Sequence, residues 1–458
     1  MKLYGIEFSV KNAPQLDPHF IPMEQFFRGF LKTAKQPLAI AIEREAGYIS
    51  VYDTFIHGTP DMQQADFYYV ERLVKFLMWA KGGFCVTICG SREVYEYIKS
   101  NYSADGKRGF DVKTMSDVYE QSFKVVHLPY DQKPTERESS KPLGGHMDGC
   151  RIGFDAGGSD RKVSAVMDGE VLYSEEVVWS PKTTTDPDYH FNEIVTAMKT
   201  AASKLPRVDA IGISSAGIYV NNRTMLASLF LKVPKDQFDA KVKNIYERAC
   251  REIGEVPFTV ANDGDVTALA GAMDLNDTGV LGIAMGTSEA VGYVAKDGNI
   301  TGWLNELAFA PVDAHSQAME DEWSGDIGCG VKYFSQDGVV KLAPKAGISL
   351  GENLTQAEKL KEVQKLAEQD MESALAIYDS IGCYLGHTLP LYARFYNIKH
   401  LLLLGRVTSG KGGERMLERC RAVLAEEYPE LNINIVLPDE KSRRVGQSVA
   451  AAGLPAIK

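Results

Sequence analysis

"VPFTVANDGDVTALAGA", residues 256–272, is the stretch on which the fold is decided. A short apolar run, Phe258-Thr-Val-Ala261, leads straight into Asn262-Asp263, and a segment of small residues follows. A buried strand that ends on an amide and a carboxylate side by side has two explanations. Asp and Asn accept hydrogen bonds from the free N–H groups of a helix start, so a helix cap accounts for most such junctions. The carboxylate can instead be a catalyst. The rest of the chain has to choose between them.

At 458 residues the chain is too long for one ordinary domain, and two or three are expected. Its 45% hydrophobic and 24% charged content is that of a soluble globular protein. No apolar stretch nears the ~20 residues of a membrane span, so no membrane partner is expected. The start, "MKLYGIEFSVKNAP", lacks the basic region and apolar core of a secretory signal, which makes the cytoplasm the expected compartment. Seven cysteines, at 85, 89, 150, 250, 329, 383 and 420, form no CxxC pair and read as reduced thiols. Cys85 and Cys89 in "FCVTICG" read as small buried hydrophobes, and none of the eight histidines lies in a zinc-type cluster. Acidic and basic residues balance within 1–145, so the net charge of −11 belongs to the remainder. Neither part has the basic surplus that phosphate-backbone binding exploits, which argues against nucleic acid as a partner.

The segment "DQKPTERESSKPLGGHMDG", 131–149, is polar, rich in Pro and Gly, and reads as an interdomain linker. Before it, strand-like runs (Leu38–Ile42 and Phe84–Ile88) alternate with the helical patterns "YVERLVKFLMWA" and "SREVYEYIKSNY", predicting an additional α/β domain over 1–145. That domain carries no chemical motif. After the linker, "CRIGFDAGGSDRKVSAVMDGEVLYSEEVVW" reads as consecutive antiparallel strands. A helix near 190–204 and a strand at "VDAIGISSAG" follow. A second strand series, "GVLGIAMGTSEAVGYVAKDGNITGW", comes after the opening stretch. Strand, Gly-rich turn, strand, then helix thus occurs twice. Apolar residues from 374 to 392 recur with a period near 3.6 and predict a long helix. "HLLLLGRVTSGKGGERMLERC" reads as a buried strand, a Gly-containing loop and another helix.

Three Gly-bearing turns sit at strand ends: Asp155-Ala-Gly157-Gly158-Ser159, Gly286-Thr287-Ser288, and Gly405-Arg406-Val-Thr-Ser-Gly410. Gly lets backbone N–H groups approach an anion closely, and successive N–H groups form a concave phosphate cradle. Hydroxyls at Ser159, Thr287 and Ser288 add donors, and Lys162 adds charge. A single turn of this kind is usually a plain hairpin. Three, each after an apolar strand in a duplicated pattern, point to phosphate. No GxxxxGK[ST] loop is present, so phosphate binding has to use the hairpins.

Taken in order, Asp155-Ala-Gly-Gly-Ser159 with Lys162, Asn262-Asp263, Gly286-Thr287, "GCYLG", "LLLLGRV" and "VGQSVAAAGL" resemble the ROK family of sugar kinases and repressors. That family belongs to the actin/hexokinase/Hsp70 superfamily, and the resemblance runs from about residue 150 to the C-terminus. It implies an α/β fold of two actin-like (ribonuclease H-like) domains with a cleft between them, beside the extra N-terminal domain. The first would span 146–262 together with a C-terminal helix at 440–458, and the second 263–439. The implied activity is ATP-dependent phosphorylation of a sugar or sugar derivative. Asp263 matches the family's general base and Asn262 the neighbouring sugar contact. Asp155 would orient Mg²⁺ through water, while Gly157, Gly158, Ser159 and Lys162 face the phosphates. Gly286 and Thr287 would form the second phosphate loop, with Gly405 and Arg406 near the adenosine. Glu306 in "GWLNELAFAP" matches the glutamate that binds sugar hydroxyls; an ordinary strand-end carboxylate would look the same.

The chain also departs from that pattern. The zinc cluster CxCGxxGC is missing; Cys329 in "GDIGCGVKYFSQDG" stands alone, and no zinc is expected. Phe309 replaces the histidine of the family's GH pair, and Val331 a glutamate. In the second phosphate loop Ser288, Ala290 and Val291 replace glycines, and added side chains restrict backbone approach to phosphate. The altered loop would suit a catalytically silent sugar sensor. "GFDAGGSDRKVSAV" and "NDGDVTALAGA" also resemble N-acetylglucosamine kinases and BadF-type ATPases. Asp155, Lys162, Asn262 and Asp263 together favour an enzyme, because a sensor needs no base. The N-terminal domain is left to cap the active site, mediate homo-oligomerisation or bind a partner.

Overall fold

A computed structural model describes residues 1–138, 143–437 and 440–457; residues 139–142 of the expected linker lie outside it, as does Lys458. The chain begins with α1 (Met23–Leu31) and an antiparallel pair, β1 (Gln36–Glu43) and β2 (Ile49–Ile56). There follow α2 (Gln63–Lys81), β3 (Cys85–Cys89), α3 (Arg92–Asn101), α4 (Gly109–Tyr119) and β4 (Lys124–Leu128). The sheet order is β2-β1-β3-β4, with β3 antiparallel to β1 and parallel to β4. Ser91 starts α3 by accepting a hydrogen bond from the Val94 N–H at 3.3 Å. Residues 131–138 do not hang free: Arg137 exchanges two backbone hydrogen bonds with Ile49 on β2, at 2.8 and 2.7 Å.

A second sheet holds β5 (Cys150–Ala156), β6 (Asp160–Met167), β7 (Glu170–Val178), β8 (Ala210–Ser215) and, after the short hairpin of β9 (Ile218–Val220) and β10 (Arg223–Leu226), β11 (Phe258–Asn262). Its order is β11-β8-β5-β6-β7: β5, β6 and β7 form an antiparallel meander, and β8 and β11 add in parallel to β5. The crossover from β7 to β8 is α5 (Pro187–Ala202), capped by Asp186. The third sheet repeats the plan. After α6 (Asp263–Leu275), the strands β12 (Val280–Met285) and β13 (Glu289–Val294) form a hairpin. The long helix α7 (Glu372–Ala393) then crosses to β14 (His400–Leu404), and α8 (Gly410–Glu427) to β15 (Asn434–Val436), both strands parallel to β12. The closing helix α9 (Glu440–Ala452) lies on β5, β6 and β8 and against α6.

Glycine makes that last contact. A Cβ on Gly153 of β5 would sit 1.7 Å from the Ser448 carbonyl, and one on Gly212 of β8 1.6 Å from the Ala451 carbonyl. Only bare backbone lets α9 approach the sheet this closely. The apolar cores divide unevenly. Side chains of β5, β6, α5 and β8 form one cluster. A small second cluster joins α6 and α9 between the two later sheets. The largest runs without a break from α1, β1, α2 and β3 into β12, α7, β14 and α8, so residues before 130 share a core with the third sheet. Among the described residues no helix is long and apolar enough to cross a membrane.

Candidate active site

The parallel strands β5, β8 and β11 end together. Their register sets Asp155 beside Ser214, Ser214 beside Ala261 and Ser215 beside Asn262, so the polar residues that close three apolar runs fall in one row. Ser214 Oγ donates to Asp155 Oδ1 at 2.8 Å. Gln447 of α9 donates from Nε2 to Ser214 Oγ and to the Asp263 carbonyl, both at 3.2 Å. At the end of β11 the cap is Asn262: its Oδ1 accepts from the Gly264 N–H at 2.7 Å, and its Nδ2 donates to the Gly217 carbonyl at 2.7 Å. The capping job is therefore done by the amide, and the neighbouring Asp263 carboxylate is left half-buried on the first turn of α6.

Electrostatics tie this carboxylate to three others. Burial raises the Asp263 carboxyl above its ordinary value, against the pull of the Gly264 and Asp263 N–H groups and of Lys182. Asp155 is pushed up to about 7 by burial, opposed by the Ser214 hydroxyl and Lys162 and reinforced by the charge of Asp263. Glu306 is pushed up to about 7 by burial, with further repulsion from Asp263 and Asp265. Asp265, which accepts from Tyr293 N at 3.0 Å and Asn305 Nδ2 at 2.9 Å, also rises to about 7, burial first and Asp263 last among the causes. Asp263 is thus the common neighbour of Asp155, Asp265 and Glu306. Carboxyls that crowd in this way have a stronger proton affinity than any of them alone.

The first Gly turn joins β5 to β6 directly after Asp155. Trp179 holds it, donating from Nε1 to the Gly157 carbonyl at 2.7 Å and from its backbone N–H to the Ser159 carbonyl at 3.1 Å. Lys182 lies over it, 2.7 Å from where a Gly158 Cβ would be. Lys162 spans Asp160 at 3.2 Å and Asp155 at 3.9 Å. The turns at 286 and 405 adjoin, since a Cβ on Gly405 would lie 2.3 Å from the Met285 carbonyl. Gly405 has φ +91°, a conformation that favours glycine. Arg406 projects outward beyond it. Thr287 and Ser288 are exposed, and nothing but the Ser288 carbonyl, at 3.8 Å, would meet a Cβ on Gly286. Of the three altered loop residues, Val291 turns into the core and only Ser288 and Ala290 face outward. The same strand runs against α6, where a Cβ on Gly292 would meet the Gly264 carbonyl at 2.0 Å.

Ser214, Lys182, Asp265, Glu289 and Gln447 were not singled out from the sequence. Ser214 had a signal, the polar pair that ends "AIGISS", of the same kind as Asn262-Asp263. Lys182 reaches Asp263 from a loop beyond β7, and nothing local announces it.

Where the resemblance calls for zinc ligands, the chain has an ion-pair cluster. Asp326 is bound by Arg72 at 2.9 Å and Arg108 at 2.8 Å, with Lys75 at 3.5 Å. Glu71 pairs with Arg72 and Arg108 at 2.6 Å each, and Asp111 with Lys75 at 2.9 Å and Trp79 Nε1 at 2.7 Å. Three cations and three carboxylates, all buried, balance. Cys329 is buried beside this cluster, its thiol pushed well up by burial. Among the described residues no group of three or more His, Cys, Asp or Glu side chains is placed to hold a metal ion.

Residues 151–453, two thirds of the chain, match the sequence model of the ROK family. The chain belongs to the ROK family. Among solved structures it is similar in fold to the ROK hexokinase from Thermus thermophilus, with a TM-score of 0.51, 17% identity, and coverage of 66% of this chain and 97% of that one. It is also similar to a ROK-family transcriptional regulator described as a homologue of the E. coli MLC protein, with a TM-score of 0.52, 15% identity, and coverage of 70% and 81%. These likenesses bear on the fold alone. No curated protein matches the chain. As a ROK protein it keeps the mixed α/β architecture of the family over this span and adds the sheet of β1–β4 before it.

Proposed function

We propose that this ROK protein phosphorylates a hydroxyl of a sugar or sugar derivative with ATP, and that Asp263 is the base. The observation that carries the reading is the convergence of Asp155, at the end of β5, and Asp263, on the first turn of α6 after β11, set by strand register and linked through Ser214 and Gln447. In this reading 146–262 with the closing helix and 263–439 are two actin-like domains around a cleft, and 1–145 is an additional domain. Asp263 accepts the proton of the acceptor hydroxyl as its oxygen attacks the γ-phosphorus. Its raised proton affinity suits that task, because a base works best with a pKa near the working pH. Asn262 keeps the α6 N-terminus fixed and sits beside the acceptor, and Glu306 accepts hydrogen bonds from its other hydroxyls.

The residues present fit the nucleotide and the cation. Thr287 and Ser288 offer exposed hydroxyls beside an open Gly286, and Gly405 with Arg406 continues that surface. The Gly157-Gly158-Ser159 turn, with Lys162 and Lys182 beside it, supplies N–H groups and positive charge for the phosphates. Among the described residues Asp155 Oδ2 is engaged only by Lys162 at 3.9 Å, and a Mg²⁺ held through water needs no cluster of protein ligands. Mg²⁺ when bound would neutralise phosphate charge in the transfer.

The test is ADP release by purified protein with Mg-ATP across a panel of sugars and amino sugars. Sugar-dependent release supports the kinase. Sugar-induced melting shifts with no ADP release and no response to ATP would support a silent sensor instead.

A further inference from the structure

A cavity of about 630 Å³ opens beside Glu306, and no residue of the three Gly turns lines it. One wall comes from the segment before residue 130: Trp79 of α2 and Phe110 of α4, with Phe309 packed 4.3 Å from Trp79 and 5.6 Å from Phe110 between ring centroids. The facing wall comes from the β9–β10 hairpin and the chain after it, including Ile218, Leu226, Phe230 and Leu231. Glu120 at the C-terminal end of α4 clamps the two walls by pairing with Arg223 at 2.6 Å and Lys243 at 2.9 Å.

The chemistry of the lining is one-sided. Its other charged residues are already paired: Lys113 with Asp117, Lys235 with Asp239, and Glu120 as above. Among the described residues Glu306 alone of the charged lining groups makes no ion pair or side-chain hydrogen bond. Thr114 and Ser116 add two hydroxyls on the α4 side, and the remaining lining residues are aromatic and aliphatic. Leu226, Leu231 and Trp323, exposed at 46%, 60% and 68%, all face this one space. Large exposed apolar groups gathered in one place mark a surface that something covers. Phe309 stands where the family resemblance calls for the histidine of the GH pair, a polar group replaced here by a ring. The volume falls in the range of roughly 300–1,000 Å³ that buries a drug-sized ligand, more than a bare hexose fills.

We infer that the acceptor is a glycoside with an apolar aglycone: Glu306 binds the sugar, and the space between α4 and the β9–β10 hairpin binds the aglycone. This rests on the kinase reading for the fate of the sugar, but the pocket chemistry stands apart from it. An oligosaccharide would need unspent polar groups along its length. Beyond Glu306 the charged lining groups are spent on one another, only the Thr114 and Ser116 hydroxyls remain, and most of the other lining residues are apolar. In this account the sheet of β1–β4 and its helices set specificity by supplying one wall of the pocket.

The test compares ADP release with glucose, cellobiose and phenyl β-glucoside, in wild type and in Leu231→Asp, a change at the exposed mouth. The expected result is a kcat/KM for phenyl β-glucoside at least tenfold above both of the others. Leu231→Asp should cut that preference by about tenfold or more, as an apolar contact is worth that much in discrimination. Glucose or cellobiose serving equally well or better overturns the inference while leaving the kinase intact. If no acceptor releases ADP, calorimetry decides. Tighter binding of phenyl β-glucoside than of glucose upholds the pocket and removes the kinase, and equal or absent binding removes the pocket.

Discussion

Replacing Glu289 by glutamine should make the protein more stable in alkali than the wild type, by an amount that grows with pH. Glu289 opens β13, is 3% exposed, and accepts one hydrogen bond, from the Tyr392 hydroxyl at 3.3 Å. Among the described residues its Oε2 has no hydrogen-bond partner. Burial pushes the carboxyl up to about 8 from an ordinary 4.5, with the Tyr392 bond opposing and Glu306 adding repulsion. A folded pKa above the unfolded one means that folding takes up a proton. Stability from this group is therefore complete below pH 4.5 and drains away as pH rises toward 8. Each pH unit in that window is worth about 1.4 kcal/mol, so wild type loses about 4 kcal/mol between pH 5 and 8. Glutamine does not titrate and escapes that loss. Urea unfolding of both proteins at pH 5, 6.5 and 8 measures it, since a constant offset from the fit of the amide cancels. The stability of Glu289→Gln relative to wild type should climb by roughly 2–4 kcal/mol across the series. A difference that stays flat, or that shrinks with pH, would refute a buried neutral carboxyl at this position.

Asp326→Ala leaves Arg72, Lys75 and Arg108 facing only two carboxylates in a buried site, and should cost about 3–5 kcal/mol by urea unfolding; an unmoved midpoint would contradict the ion cluster. Gly212→Ala sets a methyl 1.6 Å from the Ala451 carbonyl, so α9 must lift from the sheet. The expected loss is about 1–3 kcal/mol or more, read from the thermal midpoint, and wild-type stability would show that α9 is not seated there. Raised proton affinities at Asp263 and Glu306, the latter at about 7, place the acid limb of kcat/KM well above the ordinary carboxylate range, with activity gained as pH rises through it. A profile already flat above pH 4.5 would count against a crowded base.

Much of this was legible in the sequence because it is local. Apolar runs closed by Gly turns gave the hairpins at 157 and 286, and the 3.6 period gave α7. The Asn262-Asp263 junction was legible as a cap, but not which of the two side chains does the capping; that depends on Gly217, whose carbonyl fixes the Asn262 amide from 45 positions earlier. The convergence of Asp155 and Asp263 depends on strand register, to which Ser214 is the middle term. The additional N-terminal segment was the least legible. Two of its helices, α2 and α3, and two of its strands, β1 and β3, are legible as local patterns, whereas α1 and α4 are not. Its charges Glu71, Arg72, Lys75, Arg108 and Asp111 look like ordinary surface residues until Asp326 closes the cluster. Nothing local marks Trp79 and Phe110 as a pocket wall; the β9–β10 hairpin opposite them makes it one.

The most direct measurement is turnover by Asp263→Asn with Mg-ATP and the best acceptor from the panel. Asparagine keeps the shape of the side chain and loses its negative charge and its capacity to take a proton. The account expects kcat to fall by roughly 10²–10⁴-fold while acceptor binding measured by calorimetry changes little. Full turnover by Asp263→Asn would mean that another group moves the proton, and the reading of this site would be wrong.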